Sequence, residues 1–80
     1  MKAQAYVLVS VAVGFARKVY EELHKIPEIK QADAISGPFD IIVRIEAFDL
    51  SLIGRLVIDS IQSIEGVADT ITCHIISMEN

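Results

Sequence analysis

The hydrophobic pattern of this chain switches between strand-like and helix-like periods along its length. Residues 5–12 are apolar or β-branched at nearly every position, which is typical of a strand buried on both faces and central in a sheet. From Phe15 to Ile26, apolar residues recur at helical spacing and charged residues occupy the other side. Pro27 ends this helix, because the residue before a proline is displaced from the α conformation. The chain therefore opens with a strand and an amphipathic helix.

Two strands joined by a short turn are predicted next. Residues 29–36 alternate weakly, and their charges suit an edge strand, whose backbone must be protected from chance pairing. The residues expected on one side of this strand are Ile29, Gln31, Asp33 and Ile35. The segment from Ser36 to Asp40 favours a turn, since glycine tolerates positive φ and proline fixes its own. Residues 41–47 return as a strand, which implies an antiparallel hairpin.

A second helix and a last strand complete the pattern. Asp49 is the better of two candidate N-caps, the other being Ser51. Gly66 stands where glycine commonly ends a helix, and residues 67–78 form the last strand. The core stripe expected along the helix is Ile53, Leu56, Val57, Ile61 and Ile64.

The order of elements predicts an α+β fold of ferredoxin-like βαββαβ build. With right-handed crossovers it gives a four-stranded antiparallel sheet with two helices on one face, and the first and third strands at the centre. The first strand is apolar on both sides, although the helices cover only one. We therefore expect the other face of the sheet to be used in dimerisation, because large bare apolar patches are unusual on monomers.

The short length makes association the expected source of extra stability. Residues 1–80 allow a single domain. A domain this small commonly depends on disulfides, a metal or oligomerisation. A disulfide within the chain is excluded, because Cys73 is the one cysteine, and a hydrophobic fraction of 52% leaves apolar surface for a second subunit.

Charge and hydropathy exclude several classes of protein. The formal net charge is −4 and the basic residues are scattered among acids, which argues against direct contact with nucleic acid. No apolar run approaches the roughly 20 residues of a membrane span. A lone cysteine and a start without a signal-peptide cleavage site predict the cytoplasm.

No catalytic set, cofactor site or metal site can be assembled from the sequence. His74 is interpreted as a packed or partly exposed strand residue, His24 as a helix-end residue and Cys73 as a small hydrophobe. Cys73 and His74 are adjacent, with no C-x-x-C pair, so metal ligation has little support. We expect a protein that is not an enzyme and carries no cofactor.

Two segments have the chemistry to hold a small ligand. A glycine-containing turn presents backbone N–H and C=O groups, and the Asp40 carboxylate can pair with an ammonium, which together suit a zwitterion. An ordinary turn explains this composition except for Phe39, an aromatic residue at the tip. On the last strand, Thr70 and Thr72 share a side, although threonine is also simply a good strand former. The candidate effector-binding residues are Ser36, Gly37, Pro38, Phe39, Asp40, Asp69, Thr70 and Thr72.

Several short segments, taken in order, resemble the effector-binding (RAM) domain of the leucine-responsive/asparagine-responsive (Lrp/AsnC) transcription regulators. The resemblance covers essentially all 80 residues. The segments are Ala5-Tyr6-Val7-Leu8-Val9, Gly14, Leu23-His24-Lys25-Ile26-Pro27-Glu28-Ile29, Ile35-Ser36-Gly37-Pro38-Phe39-Asp40-Ile41 and Thr70-Ile71-Thr72. Each segment alone is a weak signal, and their common order makes the resemblance fairly specific.

The resemblance implies an oligomeric sensor of amino acids that modulates transcription. It implies dimers formed through the sheets, rings of about four dimers, and an amino-acid effector held between dimers. The Gly37–Asp40 loop would then grip the backbone atoms of the ligand, and Thr70 and Thr72 would come from a neighbouring subunit. Pro38 departs from the family pattern, where a polar residue is common, and proline removes one N–H donor.

No helix-turn-helix domain precedes Met1, which implies a stand-alone sensor without direct DNA binding, acting with full-length Lrp/AsnC regulators by mixed assembly. Two other interpretations stay open. One is a small enzyme of the dimeric α+β barrel type, with His74 as its candidate base. The other is a purely structural assembly module in which the Gly37–Asp40 segment is only a turn.

Overall fold

The computed structural model describes residues 2–78 and confirms the predicted order of elements. The strands are β1 (Ala3–Val11), β2 (Ile29–Ala34), β3 (Ile41–Ala47) and β4 (Val67–His74), and the helices are α1 (Ala16–Leu23) and α2 (Leu50–Leu56). A wider π-helical turn, Val57–Ile61, continues α2. No helix in residues 2–78 is long and apolar enough to cross a membrane.

The four strands form one antiparallel sheet in the order β2-β3-β1-β4, so β1 and β3 lie at the centre as predicted. The ferredoxin-like α+β fold is thereby confirmed. β3 occupies the predicted residues because its alternation is strict, with buried odd-numbered positions and half-buried even-numbered ones. The Asp49 Oδ1 atom accepts from the Leu52 N–H at 2.9 Å, which confirms Asp49 as the cap of α2.

The core lies between one face of the sheet and the two helices. Burial of a Val, Leu or Ile side chain contributes about 1.5–3 kcal/mol, so this layer is the main source of stability. Its buried members are Ala5, Val7, Val9, Val19, Leu23, Ala32, Ile41, Val43, Ile45, Ala47, Ile53, Val57 and Ile61. Leu56 and Ile64, also predicted in the stripe of α2, are half-buried and pack against it.

The other face of the sheet has no covering layer within residues 2–78. The side chains of Tyr6 and Ile71 point there and are 43% and 44% exposed. Leu8 lies between Ile42 and Ile71 on the same face, because directly opposed residues of antiparallel strands share a side. We call this surface the open face.

The predicted alternation of β2 is wrong, because the strand contains a β-bulge. Ile29 pairs with Ile45, whereas Gln31 pairs with Arg44, so Lys30 is an extra residue in the ladder. Ile29 therefore lies on the helix side, while Gln31 and Asp33 lie on the open face. β2 also ends at Ala34, earlier than predicted.

The last strand is shorter than its pattern predicted. β4 ends at His74, and the following Ile75 N–H still donates to the Gln4 carbonyl at 2.9 Å. By the register of the two strands, Ala3 at the start of β1 lies opposite Ile76, so β4 stops two residues short of the end of its neighbour.

Gly66 does not end the helix directly but stands immediately before β4, with a φ of +103°. A Cβ atom built there would lie 2.5 Å from the Phe15 Cβ, so the backbone turns tightly against that side chain. Gly66 is therefore required for both its conformation and its close packing.

We expect Gly66→Ala to lower the free energy of unfolding by about 2–4 kcal/mol, from left-handed strain and overpacking against Phe15. Gly37→Ala is the matched control, because its Cβ would meet nothing within 4 Å and its φ lies outside the left-handed region. Urea unfolding at equal protein concentration measures both. Equal stability of the two variants would contradict the requirement for glycine at position 66.

Candidate effector-binding site

The loop from Ser36 to Asp40 is fastened to the end of β1 through Asp40. The Asp40 Oδ2 atom accepts from the Val11 N–H at 2.9 Å, and the Asp40 N–H donates to the Val9 carbonyl at 3.0 Å. The Asp40 carbonyl accepts from the Ile35 N–H at 2.9 Å, which closes the loop. The carboxylate that the sequence predicted for a ligand ammonium thus has a structural bond, with lone pairs remaining for a ligand.

The glycine and the aromatic residue of this loop differ from their predicted roles. In residues 2–78, the glycines with positive φ are Gly14 and Gly66, so Gly37 is not needed for a left-handed turn. The space around Gly37 is open, which leaves the adjacent backbone accessible. Phe39 is half-buried, whereas Ser36 and Pro38 are exposed. The loop therefore presents the backbone at Gly37 to solvent together with the exposed residues Ser36, Pro38 and Asp40.

The second segment begins at a bulge in β4. Ser10 pairs with Asp69 and Val11 pairs with Val67, so Ala68 is an extra residue. Bulges are over-represented beside active sites, where they redirect side chains. The Asp69 Oδ1 atom accepts from the Thr70 N–H at 2.9 Å, which fixes the exposed side chain of Asp69 beside this bulge.

Thr70 and Thr72 share a side, as predicted, and it is the helix side of the sheet. They pair with Val9 and Val7, whose side chains are buried beneath the helices. Both threonines are half-buried. The Thr70 Oγ1 atom accepts from the Gln62 Nε2 atom at 2.9 Å, which leaves the hydroxyl hydrogen of Thr70 available as a donor.

Gln62 lies beside the candidate site, and the sequence did not reveal it. With Val67, Ala68, Asp69 and Thr70 it lines a groove of about 260 Å³ beside the start of β4. Its position just after the buried Ile61 gave no signal of this contact, because the approach of helix end and strand depends on the tertiary fold.

The two predicted segments lie at the same end of the sheet, on opposite sides of β1. Val9 bonds the amide of Asp40 on one side and pairs with Thr70 on the other. The backbones of Asp40 and Thr70 are therefore separated by about 10 Å, twice the spacing between neighbouring strands. The fold brings the loop and the threonines to one end of the sheet without bringing them into contact within a chain.

An exposed ion pair holds the connection that precedes β4. The Lys18 ammonium hydrogen-bonds the Glu65 carboxylate and lowers the pKa of that carboxyl, by the hydrogen bond first and its charge second. The stabilisation that this ion pair gives the fold is present above the ordinary carboxyl pKa. It is lost as the pH falls through the lowered pKa of Glu65. Both side chains are largely exposed, so the contribution is small.

The other chemically active side chains do not form a cluster. The Nδ1 atom of His24 lies 2.9 Å from the Tyr20 carbonyl, in keeping with a helix-end residue. His74 and Cys73 are exposed and point to opposite sides of β4, because His74 pairs with Ala5 and Cys73 pairs with Tyr6. Within residues 2–78, no group of three His, Cys, Asp or Glu residues is placed to hold a metal.

The fold is that of a small ferredoxin-like α+β domain, and the candidate loop and strand lie at one end of its sheet. The family model described as the Lrp/AsnC ligand binding domain matches residues 4–79. The chain therefore belongs to the Lrp/AsnC family and corresponds to its ligand-binding domain, which confirms the resemblance found in the sequence.

Two curated relatives show where such a segment occurs. An uncharacterized HTH-type transcriptional regulator of Pyrococcus abyssi is 36% identical over 56 residues, which cover 70% of this chain and 37% of that protein. A homocitrate synthase of Sulfurisphaera tokodaii is 34% identical over 58 residues, which cover 72% of this chain and 12% of the enzyme. The chain thus matches little more than a third of the regulator's length.

Solved structures share the whole fold. A hypothetical protein of Pyrococcus horikoshii is 30% identical with a TM-score of 0.86, over 96% of this chain and 92% of that chain. A transcriptional regulator of Neisseria meningitidis, solved as an L-Met complex, is 24% identical with a TM-score of 0.86, over 98% of this chain and 52% of that chain. The second likeness is one of fold.

Asp40→Ala is expected to speed hydrogen exchange at the Val11 amide and to lower the free energy of unfolding by about 1 kcal/mol, because Val11 loses its acceptor. Asp40→Asn retains an acceptor oxygen, so its free energy of unfolding should fall by less. NMR-detected exchange and urea unfolding measure the two effects, with the exposed Asp59→Ala as control. Unchanged exchange at Val11 in Asp40→Ala would contradict the hydrogen bond from the Val11 N–H to the Asp40 carboxylate.

Proposed function

We propose that this domain is an oligomeric amino-acid sensor that modulates transcription through protein contacts and does not bind DNA itself. Its membership in the Lrp/AsnC ligand-binding family supports an effector-sensing regulatory role. The observation that carries the finer proposal is the placement of the Ser36–Asp40 loop and the Thr70/Thr72 strand at one end of the sheet.

The polar groups at this end suit a free amino acid. An α-amino acid carries an ammonium, for which Asp40 retains carboxylate lone pairs, and a carboxylate, for which the loop offers backbone N–H groups. Pro38 lowers the number of those donors by one. The proposed site residues are Ser36, Gly37, Pro38, Phe39, Asp40, Asp69, Thr70 and Thr72.

A complete site requires two subunits. Within one chain, β1 lies between the loop and the threonines and separates their backbones by about 10 Å, twice the spacing of neighbouring strands. A loop from one subunit against the Thr70/Thr72 strand of another closes this gap. The L-Met complex of the Neisseria regulator, which shares the fold, supports an amino acid as the class of effector.

The open face supports assembly into dimers, from which a larger ring such as an octamer would be built. Tyr6 and Ile71 remain more than 40% exposed there, beside half-buried Leu8 and Ile42. At about 25 cal/mol per Å², covering some 500 Å² of apolar surface yields on the order of 12 kcal/mol before association entropy. The same contact would allow mixed assembly with longer Lrp/AsnC regulators.

Two features support action through protein contacts. The net charge of −4, without a basic cluster, is unsuited to the phosphate backbone of DNA. The homocitrate synthase match covers only 12% of that enzyme, and a segment found in both a regulator and an enzyme is consistent with a transferable sensing module. His74, the one candidate base for an enzyme reading, is exposed on an edge strand.

Calorimetry across the twenty amino acids, at millimolar ligand and native assembly state, tests the proposal. We expect heat with at least one, and Thr72→Val should weaken that binding about tenfold or more, because a hydrogen bond to a charged ligand is lost. Ser51→Ala, on the exposed start of α2, is the control. Absence of heat with all twenty would count decisively against amino-acid sensing.

Leu8→Asp should convert the assembly into monomers, since it places an unpaired charge on the open face. Ile58→Asp is the matched control, because Ile58 is 63% exposed on the turn that continues α2. Sedimentation at micromolar concentration distinguishes the species. A monomeric wild-type chain, or an unaffected Leu8→Asp variant, would contradict assembly through this face.

A further inference from the structure

The open face carries charge as well as apolar surface, and the charges lie on its β2–β3 side. Arg44 on β3 is opposed by Tyr6 on β1 and by Gln31 on β2. Asp33 lies two residues further along β2, opposite Ile42. Together with Val43, these five residues line a depression of about 150 Å³.

Arg44 has no counter-ion in the part of the chain that the structure describes. Its guanidinium donates to the neutral Gln4 Oε1 atom at 3.2 Å, and no carboxylate of residues 2–78 lies within 4.0 Å. Glu46, the acid next to it on this face of β3, lies 3.8 Å from the Lys2 ammonium. The half-buried Arg44 thus carries a charge that only a neutral amide partners.

Asp33 is in the converse position. Its Oδ2 atom accepts from the Gln31 Nε2 atom at 2.8 Å, and no cation of residues 2–78 lies within 4.0 Å of its carboxylate. A cation and an anion, each bonded to a glutamine, therefore stand side by side on a surface that is otherwise rich in exposed apolar side chains.

Covering this surface imposes a requirement on whatever covers it. A charged group without a counter-ion becomes costly once water is excluded. The covering surface must therefore bring an acid to Arg44 and a base to Asp33. A second copy of this chain meets both needs at once. In an interface with two-fold symmetry every contact between the two copies occurs twice, so an Arg44–Asp33 contact gives two ion pairs.

We propose that Arg44 of one subunit pairs with Asp33 of a second copy across the open face, and that this reciprocal pair sets the register of the dimer. The pairing rests on the proposed dimerisation through this face and names the residues that determine how the two copies align. The glutamines Gln4 and Gln31 hold the two charged groups in place from within each chain.

Charge reversal with mixing tests the pair. Arg44→Asp and Asp33→Arg should each weaken self-association at least about thirtyfold, since each single variant opposes like charges twice. An equimolar mixture of the two should assemble again, to within about tenfold of wild type, because both contacts of the mixed dimer then join opposite charges. An effect confined to one chain would not be relieved by mixing. Arg55→Asp, on the exposed side of α2, is the control for charge alone.

Sedimentation equilibrium of each variant and of the mixture, with circular dichroism to verify folding, gives the answer. If Arg44→Asp does not fold, Arg44→Gln replaces it, with an expected weakening of about tenfold for loss of attraction alone. Unchanged association of the single variants, or a mixture that stays apart, overturns the Arg44–Asp33 pair. If Leu8→Asp also leaves association intact, the open face itself is not the interface, and the proposed assembly fails with it.

Discussion

One-sided coverage of the sheet is the constraint on which the rest of this structure depends. Two helices completely bury the odd-numbered side chains in the middle of β1, with Ala5, Val7 and Val9 at 0% exposure. The even-numbered side chains of the same strand face away, and Tyr6 remains 43% exposed. Because residues along a strand alternate between its faces, a chain of 80 residues with two helices cannot bury both. The core is therefore built on one face of the sheet, and the other face stays open within residues 2–78.

Most of the fold could be predicted from the sequence because its signals are local. The strict alternation of β3 located residues 41–47 correctly, and the side chain of Asp49 marked the start of α2. The bulge at Lys30 could not be predicted, since it is defined by the pairing of β2 with β3, two segments whose register the local pattern does not encode.

The candidate site was predictable in residue type but not in the use of each residue. The shared side of Thr70 and Thr72 follows from the period of a strand and was correct. The bond from the Asp40 carboxylate to Val11 spans 29 positions, and that from Gln62 to Thr70 joins two different elements, so neither follows from spacing. Whether these residues bind an effector stays a prediction.

Ligand binding and assembly suit different parts of this sheet for a physical reason. The interior of an antiparallel ladder uses its backbone N–H and C=O groups in strand pairing, so the open face offers partners only side chains. The ladder becomes irregular where β1 ends: Ala68 bulges out of β4, and Asp40, in the loop before β3, hydrogen-bonds the end of β1. Backbone donors and acceptors are available at this end, which suits a small polar molecule. The apolar open face, with its two unpaired charges, suits a large and complementary surface.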